Sequence, residues 1–72
     1  MKTLKEIQTD LMAASLVASM AEVPESIGEQ VLSALRRVDE ALHGHHIAEG
    51  RAAGEEALRA WSDYRALNGL PR

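Results

Sequence analysis

The one cluster of conventional ligand side chains in this sequence is His43, His45 and His46, set around Gly44. Imidazole binds zinc or nickel and titrates near neutrality. In an unbroken helix, His43 and His46 would lie one turn apart and could share an ion with Asp39 or Glu40, or respond together to pH. Gly44 argues against that helix, because a glycine there reads as the left-handed residue that ends one, and no distant histidine completes a ligand set. A polar turn is the plainer reading, and metal binding and pH sensing stay open. Gly50-Arg51-Ala52-Ala53-Gly54 has the spacing that lets two helix backbones approach closely. It is not a phosphate loop, since no Gly-Lys-Ser/Thr follows and no strand precedes it. Trp61, Tyr64 and Arg65 are of the types that anchor protein interfaces and are the candidate partner-binding residues. Trp61 lies mid-stripe and should plug the core, whereas the Tyr64 hydroxyl needs water or a partner. Glu55-Glu56 and Asp39-Glu40 sit where helix dipoles and solvation explain them, and no hydroxyl stands near the histidines. The expectation is a protein that is not an enzyme and takes no cofactor.

Three helical segments must position these residues. Thr3-Leu4-Lys5-Glu6 fits a capping box, which opens a first helix over residues 4–21. Its second half, Leu11 to Ala21, is apolar nearly all round, with Met12, Leu16 and Met20 on one side, Val17 on another, and Leu11, Ala14 and Ala18 continuing the stripe of Leu4 and Ile7. Pro24 disfavours helical geometry at Val23 and suits the first turn of the next helix. The second helix is predicted over residues 25–43, with Ser26 to Glu29 as another possible capping box. Its stripe is Ile27, Val31, Leu35, Val38 and Leu42, centred on Leu35 and flanked by Leu32, Ala34 and Ala41. Arg36 and Glu40 on the opposite face could pair at i,i+4. The third helix spans residues 47–68, secure from Glu55 onward. Gly50 and Gly54 each weaken a helix by about 1 kcal/mol relative to Ala, so either could be its boundary and the segment around them a loop. Ile47, Gly50, Ala53, Gly54, Ala57, Trp61 and Tyr64 share one face, and Gly69 and Pro71 supply the stop. Short connections imply three antiparallel helices, an all-α single domain over residues 1–72.

Composition bounds what such a domain can do. Of its 72 residues, twelve are alanine and only Trp61 and Tyr64 are aromatic, so the core is thin for a size at which single cores are marginal. With no cysteine to form a disulfide, oligomerisation is the expected support. The all-round apolar helix points to a homodimer whose interface holds Met12, Leu16, Val17 and Met20. The net charge is −3, and the eight basic residues are scattered, where a nucleic-acid binder gathers them on one face. The apolar run is too short for the roughly 20 residues of a membrane span. Lys2 and Lys5 ahead of it imitate a secretory leader, but Glu6 and Asp10 lie in the region that should be basic. A cytoplasmic protein is expected.

The stretch Leu58 to Leu70, LRAWSDYRALNGL, resembles helix ends of small bacterial antitoxins and related regulators. It covers 13 residues, and the amino-terminal strand of a ribbon-helix-helix regulator has no counterpart here. The sequence as a whole points to a small acidic protein-binding regulator or inhibitor, a bacterial or phage accessory protein that occupies a surface on a larger protein. The alternative is an antitoxin or DNA-binding transcriptional regulator, whose DNA binding should weaken steeply with salt.

Overall fold

The computed structural model describes residues 2–68, which form α1 (Leu4–Met20), α2 (Glu25–Leu42) and α3 (Ile47–Asn68). Every pair of helices is in contact. The Cα radius of gyration is 11.6 Å, close to the roughly 11 Å of a folded chain this long, so no helix is splayed away from the others.

Local chemistry sets most of the ends. The Thr3 hydroxyl accepts from the Glu6 backbone N–H at 3.1 Å, and the Glu6 carboxylate accepts from the Thr3 N–H at 3.1 Å, the reciprocal box expected at the start of α1. At the other end Ala21 turns extended as the cap. Pro24 stands just outside α2 as its N-cap, and its carbonyl accepts from Ile27 and Gly28. No side chain caps this end, so the Ser26 to Glu29 box does not form. The Pro24 carbonyl starts the helix two residues before Ser26, which therefore lies inside it and cannot be its cap.

The end of α2 is closed chiefly by backbone. Gly44 has φ +89°, its N–H donates to the Ala41 carbonyl, and the His45 N–H reaches back to the Glu40 carbonyl. These two bonds make a Schellman motif, with Gly44 in the left-handed conformation its sequence position implies. Two residues on, His46 also has positive φ, at 53°, a conformation that costs a residue with a Cβ about 1 to 2 kcal/mol. α3 then runs through both Gly50 and Gly54, so neither is a boundary and no loop surrounds them. The expected stop at Gly69 and Pro71 lies outside the described residues.

Packing explains why α3 tolerates two interior glycines. A Cβ added at Gly50 would lie 2.7 Å from the Ala41 Cβ and 2.7 Å from the Arg37 carbonyl oxygen, and one at Gly54 would lie 2.6 Å from Ile7 Cγ2 and 2.8 Å from Val38 Cγ2. α3 therefore packs backbone to side chain against α2 and α1, the close approach that the spacing of the glycines allows. This approach also corrects the face expected of α2. Its buried residues are Val31, Ala34, Val38 and Ala41, while Leu35 and Ile27 are half-buried and Leu32 and Leu42 are exposed. Alanines fit the narrow gap under α3 and leucines do not, so the helix is rotated to put its larger side chains at the margins. Ile7, Leu11, Ala14, Ala57 and Trp61 complete the core, which holds no buried polar or charged residue among those described. The pair foreseen between Arg36 and Glu40 is not among the ion pairs of the described residues, which are Lys2 with Asp10 and His46 with Glu49.

Candidate protein-binding surface

The apolar residues left outside this core define the surface with most to gain from a partner. On α1, Ile7, Leu11 and Ala14 face inward, so the helix turn of 100° per residue carries Met12, Leu16 and Met20 to the far side. They are 57%, 62% and 80% exposed. Successive members are four residues apart, so they form one continuous ridge along the helix. Val17, grouped with them in the sequence reading, is half-buried and packs against the core. It lies on the side of α1 that meets α3.

Between α1 and α3 runs an open groove of about 460 Å³. Ala13, Ala14, Leu16 and Val17 line it from α1, and Leu58, Trp61, Ser62 and Arg65 from α3, with Lys2 and Asp10 at one end. The groove exists because α1 and α3 pack least closely of the three pairs and because α1 presents only alanine at two of the facing positions. Alanine there is visible in the sequence, but its pairing with Leu58 and Ser62 across the groove is not, since it depends on how the helices cross. Leu58 and Ser62 were accordingly missed as candidates.

Of the three residues expected to bind a partner, Trp61 and Arg65 line the groove and Tyr64 stands behind them against Trp61. Trp61 is 4% exposed and belongs to the core. Tyr64 stacks on it with ring centroids 6.1 Å apart, and its hydroxyl lies 3.5 Å from the Glu22 carbonyl oxygen. Arg65 lies over the Trp61 ring, its Cζ 6.0 Å from the centroid, within the range of a cation–π contact. Its Nε is buried and has no hydrogen-bond partner. An arginine beside an indole at the edge of an apolar groove can offer its guanidinium to a carboxylate or a carbonyl.

The histidines are not drawn into a common site. His43 Nδ1 is 2.8 Å from its own helix's Asp39 carbonyl, whereas His46 Nδ1 is 3.7 Å from the Glu49 carboxylate in the next helix. All three are exposed, and among the described residues no three His, Cys, Asp or Glu side chains stand together as a metal set would require. None of the described helices is long and apolar enough to cross a membrane. No protein-family model, curated protein or solved structure matches this chain.

Proposed function

We propose that this chain is a small protein-binding regulator or inhibitor that acts in the cytoplasm as a homodimer, by occupying a surface on a larger protein, and that it is not a catalyst. The observation that carries this reading is the apolar surface around α1: the ridge of Met12, Leu16 and Met20, and beside it the groove floored by Val17, Leu58 and Trp61. Contiguous exposed apolar surface on a small domain is characteristic of interaction sites. Trp61, backed by Tyr64, lines the groove and Arg65 supplies a polar group at its edge, residue types found at interface anchors.

The disposition of the basic groups favours a protein partner over DNA. Lys2 pairs with Asp10, Arg51 donates to the Lys2 carbonyl at 2.7 Å, and Arg65 stacks on Trp61. These cations are engaged with their own chain, where phosphate binding would need several of them free on one face. The test is capture of a partner by immobilised chain, repeated with purified partner and with Ser62→Arg. Ser62 is an exposed residue lining the groove, so the substitution obstructs it without touching the core. Binding by the parent chain and loss with Ser62→Arg support the reading. Salt-sensitive binding to duplex DNA without a protein partner would replace it with the transcriptional regulator.

A further inference from the structure

The ridge on α1 and the groove beside it adjoin at Leu16, which borders both, and they differ in polarity. The groove has charged groups at its ends, whereas from Leu11 to Ala21 the chain carries no charged residue at all. A face that meets a copy of itself meets its own charges, so in a chain of net charge −3 this uncharged stretch is the one best suited to self-contact.

Two of the hydroxyls beside the ridge are already satisfied. Thr9 Oγ donates to the Lys5 carbonyl at 3.0 Å, and Ser19 Oγ donates to the Leu16 carbonyl at 2.8 Å. Covering them with apolar surface therefore strands no donor, and it is the stranded donor that makes burial of a polar group costly. The ridge is also symmetric about its centre: Leu16 has a methionine four residues before it and another four after it. A twofold axis through Leu16 would set Met12 of each copy against Met20 of the other if the helices run antiparallel.

The charges at the two ends choose between orientations. Lys5 is seven and eleven residues before Met12 and Leu16, hence on the same face, and it is exposed. Glu22 and Glu25 lie just past the other end, also exposed, and none of the three is in an ion pair among the described residues. Parallel helices would put Lys5 beside its own copy and Glu22 beside its own copy. Antiparallel helices bring Lys5 toward the opposite copy's acidic turn. At 1.5 Å per residue Lys5 is about 16 Å along the axis from Leu16, and Glu22, just beyond the helix, roughly 9 Å on the other side, a mismatch that the long lysine side chain shortens.

The geometry points to an antiparallel homodimer in which α1 packs on α1 across a twofold axis at Leu16, with Met12 against Met20 and Lys5 facing the acidic turn after α1. This rests on the reading of the chain as a protein-binding module and names the occupant of the ridge, leaving the α3 side of the groove, with Leu58, Trp61 and Ser62, for the larger partner. One helix from each copy is a small seam beside the roughly 800 Å² per partner of a standard interface, so the dimer dissociates in the micromolar range.

The chain lacks cysteine, which permits a direct test by single-cysteine cross-linking beside sedimentation equilibrium. At about 100 μM, well above a micromolar Kd, the parent chain should sediment at twice its 7.8 kDa. Leu16→Glu should raise the dimer Kd about 100-fold or more while leaving the helical circular dichroism unchanged, since Leu16 lies outside the core. Under mild oxidation Leu16→Cys should cross-link to itself. Met12→Cys should cross-link to Met20→Cys in a mixture and far more slowly to itself. A parent chain that stays monomeric, a Leu16→Glu dimer of undiminished affinity, or Met12→Cys joining itself as fast as it joins Met20→Cys would each overturn the arrangement. Ser62→Arg should leave the dimer intact, so loss of the larger partner in that variant bears on the groove alone.

Discussion

Replacing Gly50 by alanine asks whether α3 truly rests on α2. In the interior of an exposed helix the change should stabilise, because alanine is about 1 kcal/mol better than glycine there. Gly28 in α2 is that case: a Cβ built on it meets nothing within 4 Å. Gly28→Ala should therefore gain about 1 kcal/mol, or roughly 4 to 8 °C in Tm for a domain of this size. At Gly50 the same Cβ falls 2.7 Å from the Arg37 carbonyl oxygen and 2.7 Å from the Ala41 Cβ. Neither is the end of a flexible side chain, so relief requires the two helices to separate. Overpacking typically costs about 1 to 3 kcal/mol, and a clash with backbone belongs at the upper end. After subtracting the propensity gain, a net loss of about 2 kcal/mol remains, roughly 8 to 16 °C. Thermal melts by circular dichroism, run at one protein concentration so that any self-association contributes equally, should move in opposite directions for the two variants. If Gly50→Ala rose in Tm along with Gly28→Ala, the close approach of α3 to α2 would be wrong, and with it the rotation of α2 that buries Ala34 and Ala41.

Other substitutions test other parts of the fold. Leu11 has no exposed surface, so Leu11→Ala should cost about 2 to 5 kcal/mol and unfold much of the population. Leu35, half-buried at the margin of α2, should lose well under half of that on truncation, and equal losses in urea denaturation would restore it to the centre of the stripe. His46→Gly should raise Tm by roughly 4 to 8 °C by removing about 1 kcal/mol of left-handed strain, whereas a fall would mean that the His46 side chain contributes more than the strain costs. Thr3→Ala should lose about 1 kcal/mol with the capping box, and faster amide hydrogen exchange at the start of α1 would locate the loss there.

Much of this architecture is legible in the residues one at a time because its causes are local. Thr3 and Glu6 satisfy each other within one turn, Gly44 takes the left-handed conformation that closes α2, and the recurrence of apolar residues marks α1 and α2 to within a residue or two of their observed spans, whereas Gly50 and Gly54 leave the start of α3 open in the sequence. Trp61 was expected in the core for the same reason, since it lies mid-stripe on α3. The surfaces around α1 have a different origin. Leu35 and Leu42 carry more apolar area than Ala34 and Ala41, and periodicity favours them for the inside. The order reverses because Gly50 and Gly54 bring α3 so close that methyl groups fill the gap and leucines must stand at its edge. Likewise, Leu11 to Ala21 is apolar on every side, so its sequence marks no inner face. Packing against α2 and α3 buries Leu11 and Ala14, opens the groove beside Val17, and leaves Met12, Leu16 and Met20 to solvent. Which apolar residues are left over depends on the distances and angles between helices, and those arise from steric fit among residues far apart in the chain.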